Sequence, residues 1–319
     1  MSSGQMSFGW TGLPSPGQEQ WIALASLVGC PSEEDAEQAR LECLKDAPMD
    51  DLINGMLQGE LTFSPGLDDG TTLPIGGGKA WRDGNVMHVP ILTGAMADEG
   101  TLLVGPNATM EEFLGAFFPV PPFTEDMVQA IVGAYKADPK LKSDFDVIAA
   151  LYGEFLFRCV RSTLPCPSMP LHPEDSEETN LLQPQTMLAA ASATHQPTYL
   201  YYGNFTATTF LPPEYSWLGK FHAAEMVLMY TSPTDERHTP ETRALADRLR
   251  RIFASFARDP SAGPGWDALG SDDDVEDVAV LGDIGDEETS GLAMRSRAVV
   301  DARCQAFAEV YAAMEQLLG

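Results

Sequence analysis

Apolar positions recur at three- and four-residue intervals along much of the chain, and this rhythm predicts helices. It runs over Gln18 to Val28 and over Ala36 to Leu57, with a break near Pro48. It returns over Met110 to Phe118, Thr124 to Ala137 and Ser143 to Ser162, and in a weaker form over Leu181 to Ala193. The segment Pro240 to Ala257 is strongly amphipathic, with Thr239 as a cap and a proline in its first turn. Arg295 to Leu318 reads as a terminal helix. Three stretches break the rhythm. Val89 to Thr93 is a short apolar run ending at Gly94, Thr198 to Phe205 (TYLYYGNF) is rich in aromatics, and VAVLGD is a brief apolar run, so these are the predicted strands. Three strands are few for so many helices, since a doubly wound sheet usually has about five or more.

Loops account for most of the remainder. Residues 1–17 are rich in Gly, Ser and Pro, residues 61–88 in Gly and Asp, and residues 166–178 in Pro and acids. The glycines at 76–78 precede neither a helical pattern nor a Lys-Ser/Thr pair, so they do not make a phosphate-binding loop. No internal repeat is present.

The charge balance narrows the classes of partner. The chain has 319 residues, with 47 acids against 19 bases and a net charge of −28. That field repels phosphate backbones and anionic membrane surfaces, so nucleic acid is not an expected partner. No apolar run is long enough for a transmembrane helix, and the opening MSSGQMSFGW lacks the basic and apolar regions of a signal peptide. None of the five cysteines forms a C-x-x-C pair and histidines number only 5, which disfavours zinc. Cys30 and Cys43 flank an acidic helical stretch; the spacing suits a small disulfide loop in an oxidising compartment, or two buried thiols. Cys159 and Cys166 are spaced for a small loop too, and the pairing of Cys159, Cys166 and Cys304 stays open. Sequons at Asn107 and Asn204 are candidate glycosylation sites that lean toward secretion.

One stretch carries candidate chemistry. In VPILTGAMADEGTLLVG, Glu99 follows directly on a predicted strand, where sites form in open α/β sheets. The histidine with a supporting context is His222, in a loop before an apolar helix. An acid followed later by a histidine is the order of the second and third members of a Ser…Asp/Glu…His triad, in which the acid orients the imidazole and the imidazole takes the nucleophile's proton. The residues alone also allow plainer roles: a helix N-terminal acid for Glu99, and a loop histidine bonded to backbone for His222. Glu225 makes a His-x-x-Glu pair with His222, but no further metal ligands gather and H-E-x-x-H is absent.

The same residues resemble the type-B carboxylesterases, the family of cholinesterases and fungal lipases. VPILTGAMADEGTLLVG is similar to the family's triad-acid segment, an apolar strand followed by D/N-E-G. FSPGLDDGTTLP resembles a segment upstream of it, with Gly66 in place of the family's Val. LVGCPSEEDAEQARLECLKDAP resembles the family's small disulfide loop, which implies a Cys30–Cys43 bridge. WLGKFHAAEMVLMY resembles the triad-histidine segment and carries His222 and Glu225 on the matching positions, with Ala223 where the family has Gly. LRRIFASFARDPSAGPGW and Arg303-Cys304 extend the match toward the C-terminus.

The resemblance implies an α/β-hydrolase fold and a serine esterase or lipase acting on small-molecule or lipid esters without a cofactor. It implies Glu99 as triad acid, His222 as base, and an extracellular location for the parent family. The helices from Met110 to Ser162 would sit in a helical insertion over roughly residues 106–195 that contributes to the wall or lid of the substrate pocket; their Phe113, Phe117, Phe118 and Phe123 read as ordinary core ahead of substrate contacts. The nucleophile elbow G-x-S-x-G is absent from the sequence: GQMSFG and GLPSPG both place Ser one residue too late, in loop. MSSGQ is similar to a family segment shortly after the nucleophile helix. The expectation is therefore an incomplete hydrolase fold, residues 1–319 forming the C-terminal portion of a single domain and inactive alone. The alternative is a non-catalytic hydrolase-like binding module or the product of a truncated gene model.

Overall fold

The computed structural model describes residues 17–33, 35–61, 63, 87–117, 123–159, 195–270, 275–282, 291–307 and 309–310. The chain divides into two compact units, residues 8–77 and residues 1–7 with 78–319.

In the smaller unit the predicted helices form as α1 (Gly17–Leu27), α2 (Glu37–Asp46) and α3 (Met49–Gln58). Pro48 separates the last two because it cannot continue a helix through its ring nitrogen. Leu24, Ala25, Cys30 and Leu44 make its small core, against which Trp21, Val28, Leu52 and Leu61 pack. The structure joins Cys30 to Cys43. Arg40 is buried beside this loop and donates to the carbonyls of Pro31 (3.1 Å) and Glu33 (2.5 Å), tying down the turn between the two cysteines.

The larger unit is built on a sheet of four described strands in the order β1 (Ile91–Met96), β2 (Thr198–Gly203), β3 (Val278–Leu281) and β4 (Leu292–Arg295). The first three are parallel and β4 is antiparallel to β3. Side chains alternate across the sheet as a strand requires. Tyr199 and Tyr201 face one core with Leu92 and Met96, while Leu200 faces another with Val278 and Leu269. Two glycines let the strands and their side chains meet closely. A Cβ on Gly94 would run into the Tyr201 ring, and one on Gly203 into the Met96 sulfur.

The first of those cores is closed by α8 (Ala224–Tyr230) and α9 (Pro240–Arg258), which supply Ala224, Leu228, Leu245, Ala246, Leu249 and Ile252. The remaining described helices are α4 (Glu99–Leu103), α5 (Met110–Phe117), α6 (Glu125–Lys136), α7 (Asp144–Gly153) and α10 (Arg297–Val300). Several start at side-chain caps, of which sequence predicts the one at Thr239. The Thr124 hydroxyl accepts from the Met127 amide, Ser143 and Asp146 form a capping box, and Thr239 accepts from the Thr242 amide ahead of Pro240.

Two expectations change. The predicted terminal helix, Arg295 to Leu318, is interrupted over its described part: Arg295 ends strand β4, the short α10 and a 3₁₀ turn at Cys304–Phe307 follow, residues 309–310 are again helical, and residues 308 and 311–319 lie outside the described residues. Arg295 is drawn into the sheet because β4 pairs with β3, the two strand ends being joined by a hydrogen bond from Gly282 to Gly291. The predicted helix from Ser143 to Ser162 is α7, which runs into a single π-helical turn at Glu154–Arg158. The predicted helix at Leu181–Ala193 lies outside the described residues, as does Cys166.

Candidate active site

Strand β1 ends at Met96, and the chain turns into the short helix α4 with Glu99 as its first residue. The Glu99 side chain is buried, and one carboxylate oxygen accepts from the Met96 backbone amide at 2.5 Å. The other lies 2.6 Å from His222 Nδ1. His222 sits in the loop leading into α8, its side chain 27% exposed and its ring 5.0 Å from that of Phe157. Chain topology therefore brings together the two residues that the sequence singles out.

The electrostatics follow from this geometry. The imidazole pKa is raised above its ordinary value, first by the hydrogen bond to Glu99. Burial opposes that rise, and the charges of Glu99 and Glu225 add to it. With Nδ1 held by a carboxylate, the neutral ring carries its proton on Nδ1, so Nε2 is the atom that can take a proton from a reacting group. Glu225, in the first turn of α8, is fully buried. Among the described residues no three His, Cys, Asp or Glu side chains gather as metal ligands would.

Two features of the site were invisible as chemistry in the sequence. The first is a pair of glycines. A Cβ on Gly100 would strike the Ala149 carbonyl, and one on Gly153 would come within 2.7 Å of the Gly100 amide and 3.0 Å of Glu99 Cβ. These two residues let α7 lie directly on α4 and seal Glu99 from water. The Gly of D-E-G is therefore required by close packing, with no positive φ at that position. The second is the π-helical turn after α7. It presents Phe157 to His222 and is anchored by Arg158, whose guanidinium pairs with Glu154 and donates to the Tyr202 hydroxyl at 3.2 Å. Glu154 also accepts from the Tyr135 hydroxyl at 2.5 Å and from Arg303, which in turn reaches Asp138 at 2.6 Å. Burial and the Glu154 charge push the Tyr135 pKa far up, keeping it a neutral donor. Beside this network a second disulfide links Cys159 to Cys304.

Ala223, directly after His222, has φ 65° and ψ 16°. That left-handed conformation suits glycine and is strained for alanine. The substitution for the family's Gly therefore carries a backbone cost.

The aromatics of the helical insertion go the way of the core reading where they are described. Phe113 and Phe123 are buried, Phe113 packing against Tyr152 at 6.3 Å, so these two serve the core. The side chain of Phe117 and all of Phe118 lie outside the described residues. Of the sequons, Asn107 is exposed, while Asn204 is half-buried and accepts from Lys220 Nζ at 2.5 Å.

No protein-family model matches the chain. A curated lipase, "Secreted lipase 5" of Gibberella zeae, is 37% identical over 92 residues, 28% of this chain and 16% of its own. The acetylcholinesterase of Electrophorus electricus is 25% identical over 274 residues, 74% of this chain and 41% of its own. The chain is a relative of the type-B carboxylesterases and lipases. The fold agrees with that family: a solved "PNB esterase" superposes with a TM-score of 0.54 over 91% of this chain and 54% of its own, at 18% identity. The sheet and its helices are thus of the α/β-hydrolase fold. The chain spans less than two thirds of the length of each of these esterases and lipases. Among the described residues no helix is long and apolar enough to cross a membrane.

Proposed function

We propose that Glu99 and His222 are the acid and base of a serine carboxylic-ester hydrolase relay, and that the 319-residue chain alone does not complete it. The observation that carries the reading is the 2.6 Å contact between His222 Nδ1 and the buried Glu99 carboxylate. In the full relay a serine attacks the ester carbonyl. His222 takes its proton through Nε2 and returns it to the leaving alcohol, and Glu99 holds the imidazole in the required tautomer and stabilises its cation. The lipase and cholinesterase relatives support esters of lipids or small molecules as the substrate class. The lipase's printed name and the two disulfides support an extracellular location, with exposed Asn107 the better placed of the two sequons for glycosylation.

The sequence holds no G-x-S-x-G, so within this chain the base has no elbow serine to activate. The same absence favours a second reading, a hydrolase-like module that binds a partner without turnover. Two measurements on the purified chain test the proposal. Histidine titration by NMR should show His222 protonating above the ordinary imidazole range, and an ordinary value would refute the acid–base pair. p-Nitrophenyl ester turnover and fluorophosphonate labelling should both be nil, whereas a labelled serine would refute the claim that the chain lacks its nucleophile.

A further inference from the structure

Asp98, the neighbour of the proposed triad acid, makes contacts of its own. Its backbone amide donates to the Lys220 carbonyl at 3.0 Å, and its carboxylate accepts from the Lys220 backbone amide at 2.9 Å. Asp98 and Phe221 form a parallel bridge outside the main strands. One helical turn on, the Thr101 hydroxyl reaches the carbonyls of both Asp98 (2.8 Å) and Leu218 (2.7 Å). The loop that bears His222 is thus laced, over residues 218–221, to the loop that bears Glu99.

The loop needs such a restraint because its own backbone is irregular. Gly219 has φ 63° and Ala223 has φ 65°, so left-handed residues stand on both sides of His222. Gly219 is also matched to Asp98. A Cβ there would lie 2.6 Å from the Asp98 carboxylate oxygen, so only glycine combines that φ with the approach of the carboxylate. Anchors at Leu218 and Phe221, 1% and 3% exposed, hold the loop on its other side.

We infer that Asp98 is a positioning residue: its carboxylate grips the Lys220 amide and so sets the distance from His222 to Glu99. The inference rests on the reading of Glu99 and His222 as a relay. Asp98 acts through the hydrogen bond and not through its charge. The groups that move the His222 titration are Glu99 and Glu225, one from the α4 side and one from α8, with the uncharged Phe157 ring on the π-helical turn. An asparagine at position 98 can still accept from the Lys220 amide, while an alanine cannot.

The test is NMR titration of the histidine-labelled 319-residue chain, with the His222 resonance assigned by its loss in His222→Gln. Asp98→Ala should drop the His222 pKa toward the ordinary imidazole value, and Asp98→Asn should leave it near wild type. Gly219→Ala, which keeps the Asp98 charge but drives the carboxylate off the Lys220 amide, should behave like Asp98→Ala. Should these variants fail to fold, hydrogen exchange of the Lys220 amide in the wild-type chain still decides. It should be slowed many-fold, and exchange at the rate of a free amide overturns the proposal. Glu99→Gln separates the two readings. If it leaves the His222 titration unchanged, the relay pairing falls and the role of Asp98 falls with it. If it lowers the His222 pKa while Asp98→Ala does not, only the role of Asp98 falls. If Asp98→Asn lowers it as far as Asp98→Ala, charge is acting and the hydrogen-bond argument is wrong.

Discussion

Replacing Glu99 with glutamine should weaken the fold by an amount that shrinks as the pH rises. The amide is nearly isosteric. It can keep the hydrogen bond from the Met96 amide, but it presents an NH₂ to His222 Nδ1–H where the carboxylate accepted a hydrogen bond. The wild-type bond to a protonated His222 is charge-assisted and worth about 1.5–3 kcal/mol, against about 1 kcal/mol for a neutral bond. Glu99 is buried but His222 is 27% exposed, so a net loss of about 1 kcal/mol is the reasonable figure. The pH dependence follows from the raised imidazole pKa. A folded pKa above the unfolded value of about 6.5 gives stabilisation that is complete below that value and is lost as pH climbs through the folded pKa. Urea unfolding of both proteins at steps between about pH 5.5 and 9 should therefore show a stability gap that is widest at the acid end and narrows toward the alkaline end, where the neutral ring still donates Nδ1–H to the carboxylate. The NMR titration of His222 in Glu99→Gln should move down in parallel. A gap that stays constant or widens with pH would refute the pairing of these groups.

Three other perturbations follow from the same structure. Cys304→Ser opens a loop whose ends are 145 positions apart, and loop-closure entropy puts the loss at about 5 kcal/mol, against about 3 kcal/mol for Cys43→Ser with its separation of 13; equal losses in urea unfolding would contradict that account. Ala223→Gly removes a left-handed alanine costing about 1–2 kcal/mol and adds about 0.4–1 kcal/mol of unfolded-state entropy, so it should stabilise by roughly 0.5–1 kcal/mol; a lower melting temperature would count against the strain. Glu154→Ala leaves Arg158 buried beside Tyr202 without its main carboxylate partner and should cost about 3–5 kcal/mol, with a loss under 1 kcal/mol showing that the network is not coupled to the core.

Much of this architecture was legible along the chain because its signals are local. The 3.6-residue apolar rhythm, the Thr and Ser caps and the break at Pro48 each act within a few residues. Helices α2, α3, α6 and α9 accordingly stand close to where the pattern predicts them. The strand TYLYYGNF was equally plain, since its alternating faces are both buried. Strand β4 was not, because LAMR has no strong strand pattern of its own and exists through its pairing with β3. The pairing of Cys159 with Cys304 was open for the same reason: it depends on where two distant segments meet.

The candidate site divides along the same line. Residue type and order in the sequence determined that an acid after a strand and a later histidine could act as a pair, and the family resemblance marked Ala223 as standing where the family pattern has Gly. Only the tertiary structure decided that Glu99 is sealed by the Gly100–Gly153 contact, that Phe157 faces His222, and that Asp98 is tied to the histidine loop through Lys220. The physical reason is one of range. Helix periodicity and capping are settled within about one turn of backbone, whereas a 2.6 Å hydrogen bond between residues 123 positions apart exists only once strands, helices and loops have packed to hold both ends.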